Sequence, residues 1–396
     1  MKSQIPSTLT EADANQAGII TLPRKMDLLK KLRQSFVIDK LENTDWRQGT
    51  SAPLIVELDT TEACDLACPN CISEDIVQNG NRFSDERLMR LGEEFVKYGI
   101  KGVILIGGGE PLAHPAVGRF MEYLGQHDIH IGITTNGTMI HRHLSIIGEY
   151  ASWTRVSMDA ATDETFQVLR PSKGRHSKFD KIIDNMRRLS AIKKGKMGYS
   201  YLLQTPMDGP GVISNIHEIY DAAMLAREIG CDYFEVKPSY QYRAGVDHAL
   251  VVHERKLMEE ARQQINRLGE LETPNFKIMK AINLDISLAG RQSEQPKNYH
   301  WCPAAELRTL ICPSGAYVCP YWRGKPNMKI GEPSLLSFDE LWHGQLRKTI
   351  MQRLDPSRDC TFHCLRHESN EQVIQLIDSI KKGNKPESME EFDRFI

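Results

Sequence analysis

The sequence predicts an α/β fold: a partial (β/α)6 TIM-like barrel with a small C-terminal extension. Three observations carry that expectation. From residue 53 to about 240, short apolar β-branched runs alternate with amphipathic helical patterns, at a repeat of about 26 to 45 residues, the size of a βα unit. Six such units are too few to close an eight-stranded barrel, so the sheet is expected to stay open. After residue 245 the rhythm stops, and five of the nine cysteines crowd between 302 and 364. The expected division is a helical preface (1–50), the α/β core (51–290) and the cysteine-bearing extension (291–396).

In chain order, residues 24–39 place Met26, Leu28, Leu29, Leu32 and Phe36 at helical spacing beneath a basic face. Such a helix can lie on a membrane. Packing on the main domain with the lysines in water is the simpler reading. Strands are expected over residues 54–58, 102–106, 130–134, 155–158, 197–203 and 233–236. Helices are expected over 84–98, 115–126, 141–150, 179–193 and 214–229, with Ser84 as the cap of the first and Arg87 at its third position. Residues 253–268 read as a charged amphipathic helix. Residues 269–300 read as polar and irregular, linker-like at 290–298. A hairpin is expected next, with strands at 307–311 and 316–318 around a Pro313–Gly315 turn. A helix over 338–352, capped by Ser337, follows it.

Composition sets outer bounds. Hydrophobic residues make up 40% and charged residues 26%, the balance of an ordinary globular chain. Lys plus Arg (50) nearly equal Asp plus Glu (52), which gives no electrostatic case for nucleic acid. No apolar run reaches the ~18 to 20 residues a membrane span needs. The polar N-terminus lacks the apolar stretch of a signal peptide. A cytoplasmic protein is expected, and clustered cysteines in that compartment hold metal or do catalysis more often than they pair.

Function in open α/β sheets gathers at the carboxyl ends of strands, and five of those ends carry unusual residues. Cys64, Cys68 and Cys71 follow the first strand. Three thiols on one loop can close around a metal centre and leave a position open for an outside molecule. Gly107-Gly108-Gly109-Glu110-Pro111 follows the second strand, Thr135-Asn136-Gly137 the third, Ser157-Met158-Asp159 the fourth and Lys237-Pro238 the sixth. Singly, each reads as a turn. Together on one face of one sheet they read as a site. The triple glycine is neither a P-loop nor a dinucleotide fingerprint. Backbone open to a ligand beside the Glu110 carboxylate suits a molecule with an ammonium and a carboxylate group, that is, an amino acid.

These ordered motifs resemble the radical S-adenosylmethionine (SAM) enzymes, over about residues 50 to 245. The resemblance implies a [4Fe–4S] cluster held by Cys64, Cys68 and Cys71, with its fourth iron open to the amino and carboxylate groups of SAM. Gly108, Gly109 and Glu110 would secure the methionine amino group. Asn136 and Ser157 would meet the carboxylate or the ribose. The implied reaction is one-electron cleavage of SAM to a 5′-deoxyadenosyl radical, which abstracts hydrogen from substrate. Thiolate-held clusters reach the strongly negative potentials this demands. The residue after the third cysteine, often aromatic in the family, is Ile72 here.

The second cysteine group resembles the SPASM or shortened "twitch" extension of many radical SAM enzymes. The resemblance implies one auxiliary [4Fe–4S] cluster on Cys302, Cys319, Cys360 and Cys364. Two departures stand out: the last pair is Cys-x3-Cys, and only three residues separate Gly315 from Cys319. A structural zinc site is the alternative for four thiolates. Cys231 and Cys312 remain. Each reads as a buried small hydrophobe, with a hydrogen donor to a substrate radical as the sharper reading. His363 and His367 read as neighbours of the last ligands rather than as ligands. No general acid or base can be picked out.

The expected function is radical chemistry on a small polar substrate, carbohydrate or aminoglycoside-like, by dehydrogenation, dehydration or epimerisation. The alternative is a maturase acting on a ribosomal peptide or protein, against which stands the shortness of residues 1–50 for a peptide-recognition domain. A non-catalytic zinc-binding module is the remote alternative. A flavodoxin or ferredoxin-type donor is implied as electron source.

Overall fold

In the computed structural model the described residues are 28–46, 49, 51–77, 79–241, 249–281, 283–289, 296–360 and 364–395. Residues 24–27, most of the 290–298 linker and His363 lie outside them. The six expected strands form: β1 (Ile55–Leu58), β2 (Gly102–Leu105), β3 (His130–Thr135), β4 (Ala151–Ser157), β5 (Lys196–Leu202) and β6 (Tyr233–Lys237). They pair in sequence order, all parallel. A short antiparallel ribbon, β7 (Tyr240–Gln241) and β8 (Ala249–Leu250), stands outside this sheet.

The sheet runs further than six units. Residues 269–300 are not wholly irregular: β9 (Lys277–Lys280) adds a parallel strand beside β6. On the opposite edge β10 (Arg308–Cys312) pairs parallel to β1, Ile55 against Arg308. Then β11 (Gly315–Tyr317) and β12 (Lys329–Gly331) continue antiparallel. One sheet of order β12-β11-β10-β1-β2-β3-β4-β5-β6-β9 results. The extension therefore grows out of the barrel wall across the expected 290/291 division.

Other boundaries shift for local reasons. Leu307 ends a short helix, Pro303–Leu307, and the hairpin strand starts one residue later. Cys312 pairs with Gly315, so the turn is the two residues Pro313 and Ser314. The helix expected over 338–352 breaks at Gly344 into Phe338–His343 and Gln345–Arg353. At that glycine an added Cβ would collide with the Glu340 carbonyl. The N-terminal helix likewise divides, into Leu28–Leu32 and Ser35–Glu42. Ser84 caps Asp85–Lys97 as expected, its hydroxyl accepting from Arg87 N at 3.1 Å.

Alternation along the strands sorts the two faces of the sheet. Val56, Leu58, Val103, Leu105, Ile131, Ile133, Val156 and Phe234 pack in one core with the covering helices. The inner face carries Glu57, Thr134, Arg155, Ser157, Ser200, Glu235 and Lys237 instead. Its N-terminal end is closed by Leu32, Val37, Leu41, Val373 and Ile377 packed on Ile55 and Ile104. The chain's last residues join this plug: the Phe395 ring lies 5.4 Å from that of Trp153. The N-terminal helices thus pack on the main body, with Lys31 Nζ bound to Phe395 O at 3.0 Å. No helix among the described residues is long and apolar enough to cross a membrane.

Candidate active site

Cys64, Cys68 and Cys71 lie on the loop after β1, and none forms a disulfide. A second segment covers this loop: Ala67 N donates to Pro171 O at 2.8 Å and Lys173 N to Asp65 O at 2.9 Å. That brings Arg170 to the thiols, its Nη1 3.9 Å from Cys68 Sγ. The same guanidinium binds Asp159 Oδ2 at 2.9 and 2.7 Å. Asp159, in left-handed conformation with φ 56° at the end of β4, accepts Leu202 N through its other oxygen at 2.8 Å. Asn136 Nδ2 stands 3.7 Å from Cys64 Sγ and 2.9 Å from Asp65 Oδ1.

Burial pushes the Cys64 and Cys68 thiols up to about 11, and raises Cys71 as well. Such thiols stay protonated near neutral pH until a cation takes the proton's place. Three of them on one loop, approached by an amide and a guanidinium, fit a thiolate-bound iron–sulfur cluster.

The glycine loop also has a partner within the protein. A Cβ on Gly109 would overlap the Ala63 carbonyl, and one on Gly108 would lie 2.9 Å from Asp59 Oδ2. These glycines let the loop after β2 press against the loop that carries the cysteines. Glu110 is 1% exposed. Its carboxylate accepts from Thr135 Oγ1 at 2.6 Å, Asn136 N at 2.7 Å and Leu112 N at 3.1 Å. Burial raises it to about 7. The side chain therefore ties the loop after β2 to the loop after β3. Asn136 is spent too, its Oδ1 accepting from Thr138 N and Oγ1 at 2.9 and 2.8 Å. Ser157 is half-buried on the inner face, opposite Ser200, and its hydroxyl makes no hydrogen bond to a described residue.

In the extension, Cys302, Cys319, Cys360 and Cys364 come together. Charge on Cys364 acts on each of the other three, and burial raises all four. Asn370 Nδ2 lies 3.5 Å from Cys302 Sγ, and Arg366 N lies 3.4 Å from Cys364 Sγ. Four thiols from three segments, with N–H donors toward sulfur, fit an iron–sulfur cluster.

Cys312 stands apart, fully buried in the hairpin, its thiol donating to Gly315 O at 3.1 Å and facing Asp59 and Arg323. Cys231 packs in the core between sheet and helices. Neither joins a thiol group. His367 stacks on Tyr299 at 5.7 Å beside the four thiols. Sequence reasoning missed Arg170 and Arg155. Nothing local marks either, since Arg170 acts on a cysteine 102 residues away.

An open parallel barrel, a three-thiol loop after its first strand and a glycine loop seated against it are arranged as an iron–sulfur barrel protein requires. The sequence model of the Radical SAM superfamily matches residues 58–207. Over that stretch the chain is similar to radical SAM enzymes. The matching stretch contains Cys64, Cys68 and Cys71, the thiols suited to a [4Fe–4S] cluster with SAM. Among curated relatives, the mycofactocin maturase MftC of Mycobacterium tuberculosis is 22% identical over 282 residues, covering 70% of this chain. That match spans 66% of the relative's own length. Among solved structures, SuiB of Streptococcus suis bound to precursor peptide SuiA superposes with TM-score 0.58 at 14% identity, covering 96% of this chain and 85% of that chain. anSMEcpe with bound AdoMet and the Cp18Cys peptide gives a TM-score of 0.52 at 14% identity, over 83% and 99% of the two chains.

Proposed function

We propose that this chain is a maturase that modifies a ribosomally made peptide by radical SAM chemistry. The observation that carries the reading is the reach of the SuiB likeness, 96% of this chain, to a structure holding a precursor peptide. The MftC relative and the anSMEcpe structure with its peptide point the same way. They favour the peptide over the carbohydrate substrate that the sequence alone suggested.

Cys64, Cys68 and Cys71 would hold the first cluster, with Gly108, Gly109 and Ser157 beside SAM, and Cys302, Cys319, Cys360 and Cys364 would hold the auxiliary one. When bound, the first cluster and SAM supply one-electron cleavage that yields a carbon-centred radical. The chain's own residues do the remaining work. Glu110 and Asn136 fix the loops after β2 and β3. Arg170 and Asp159 hold the cysteine loop against β4 and β5. The apolar plug around Val37, Ile55 and Val373 shuts water out of one end of the barrel. Electrons would come from a flavodoxin or ferredoxin.

The test is 5′-deoxyadenosine formation by the anaerobically prepared, reduced protein, offered short peptides encoded beside its gene and a panel of sugars and cyclitols. Deoxyadenosine together with a mass change in a peptide is expected. Turnover with a cyclitol and none with any peptide overturns the reading.

A further inference from the structure

Arg155, Glu235 and Lys237 form a charged cluster inside the barrel that neither thiol group uses. Arg155 lies on β4, and Glu235 and Lys237 lie on β6. Between Arg155 and Glu235, β5 presents the small Gly198 and Ser200 to the same face, with Leu202 beside Lys237, so the long side chains of Arg155 and Glu235 meet across it. Arg155 Nη1 is 3.3 Å and Lys237 Nζ 3.7 Å from the same oxygen, Glu235 Oε2. One carboxylate therefore serves two cations. Arg155 Nη2 also donates to Thr134 Oγ1 at 3.2 Å, while its Nε is buried with no hydrogen-bond partner.

The other cations around the lumen are differently engaged. Arg170 is held by Asp159, and Arg308 by Glu57 at 2.8 Å. Arg366 is 3.5 Å from the same Glu57, beside the extension's thiols. Arg155 and Lys237 keep 27% and 26% of their side chains open, on the face that carries Ser157. Burial and then the neighbouring Arg155 lower the Lys237 ammonium to about 8. A surplus cation in a narrow, partly dry cavity is stabilised by an anion that enters with a ligand.

We propose that Arg155 and Lys237 select a substrate bearing a carboxylate close to the carbon that reacts, with Glu235 holding the two cations in place. On the peptide reading, on which this rests, that group is an Asp or Glu side chain or the chain-terminal carboxyl. The test uses the full chain with its clusters and SAM, without reductant, so that binding alone is read by calorimetry. Four probes serve: the blocked tripeptides Ala-Glu-Ala and Ala-Gln-Ala, and glucuronate and glucose.

The Glu peptide is expected to bind about tenfold tighter than its Gln partner, the worth of one charge-assisted pair. Lys237→Met and Arg155→Gln should each cut the preference to about twofold or less, and Lys237→Arg should keep it. Equal binding of the two peptides overturns carboxylate selection and leaves the peptide reading standing. Glucuronate held over glucose, with neither peptide bound, upholds the selection and overturns the peptide reading. If no probe binds at millimolar concentration, the inference fails. It fails too if Lys237→Met weakens SAM while the peptide preference survives.

Discussion

Glu110 shows how a residue can be recognised while its partners within the fold stay hidden. A carboxylate after three glycines at a strand end reads as a ligand group. What cannot be read is that Leu112 N, two residues on, and Asn136 N, on the next loop, both point at it. Its carboxyl is raised to about 7 by burial, against an ordinary glutamate near 4.5, with no cation to offset the loss of water. The folded protein thus holds this proton more tightly than the unfolded chain. The stability it contributes is complete below the unfolded value and lost as pH rises through the folded one. Urea denaturation of the wild type is expected to show a fall of about 1 to 3 kcal/mol between pH 5 and 8 from this group. Glu110→Gln, neutral throughout, should lack that part of the slope while matching the wild type near pH 5. An unchanged slope in the variant would mean that the proton sits elsewhere.

At the scale of elements, the positions that were legible are those where local chemistry decides. Ser84 caps its helix, and Ser337 forms a full capping box with Glu340, each accepting the other's backbone N–H. Ser337→Ala should cost about 1 kcal/mol in chemical denaturation, with the first cluster's iron unaffected. Gly109 is a position where two elements decide together. Its lack of a Cβ lets the loop after β2 lie on the cysteine loop, where Glu110 N also donates to Ala63 O at 2.9 Å. Gly109→Ala would push Ala63 and with it Cys64. We expect more than about 2 kcal/mol of destabilisation, because the obstacle is backbone and cannot rotate away. Iron analysis should show loss at the three-thiol site, while the iron held by the extension stays. The triple glycine flagged this spot in the sequence. That its neighbour is the protein's own loop, and not only a ligand, depends on tertiary approach.

For the molecule as a whole, the order of six strands could be read because each βα unit repeats the same apolar rhythm. The sheet's two outer additions could not. β9 is Lys277-Ile-Met-Lys280, half polar and without a β-branched run. β10 reaches β1 across a gap in sequence that no pattern bridges, Arg308 meeting Glu57 from 251 residues away. The consequence is that the extension is part of the barrel. β10 covers the open edge of β1, Ser314 N donates to Glu62 Oε1 at 2.9 Å, and Arg323 binds the wholly buried Asp59. Arg87 in turn donates to Pro333 O and Leu336 O, and the helix His367–Lys381 supplies Val373 and Ile377 to the plug beneath the lumen. A chain ended at residue 300 would lose all of these at once. It would bare Ile55 and Val56, now fully buried, and leave Glu57 and Asp59 in an apolar setting without their arginines. Uncompensated buried charge alone costs about 3 to 5 kcal/mol per pair broken, against a total stability of about 5 to 15 kcal/mol. The truncated chain is therefore expected to be insoluble or to lack the first cluster, although Cys64, Cys68 and Cys71 are intact. By contrast, Cys319→Ala in the full chain should lose about half of its iron and keep a soluble, SAM-binding barrel. A soluble 300-residue chain that kept its first cluster would show that the barrel needs neither β10 nor the buried arginines to hold its shape.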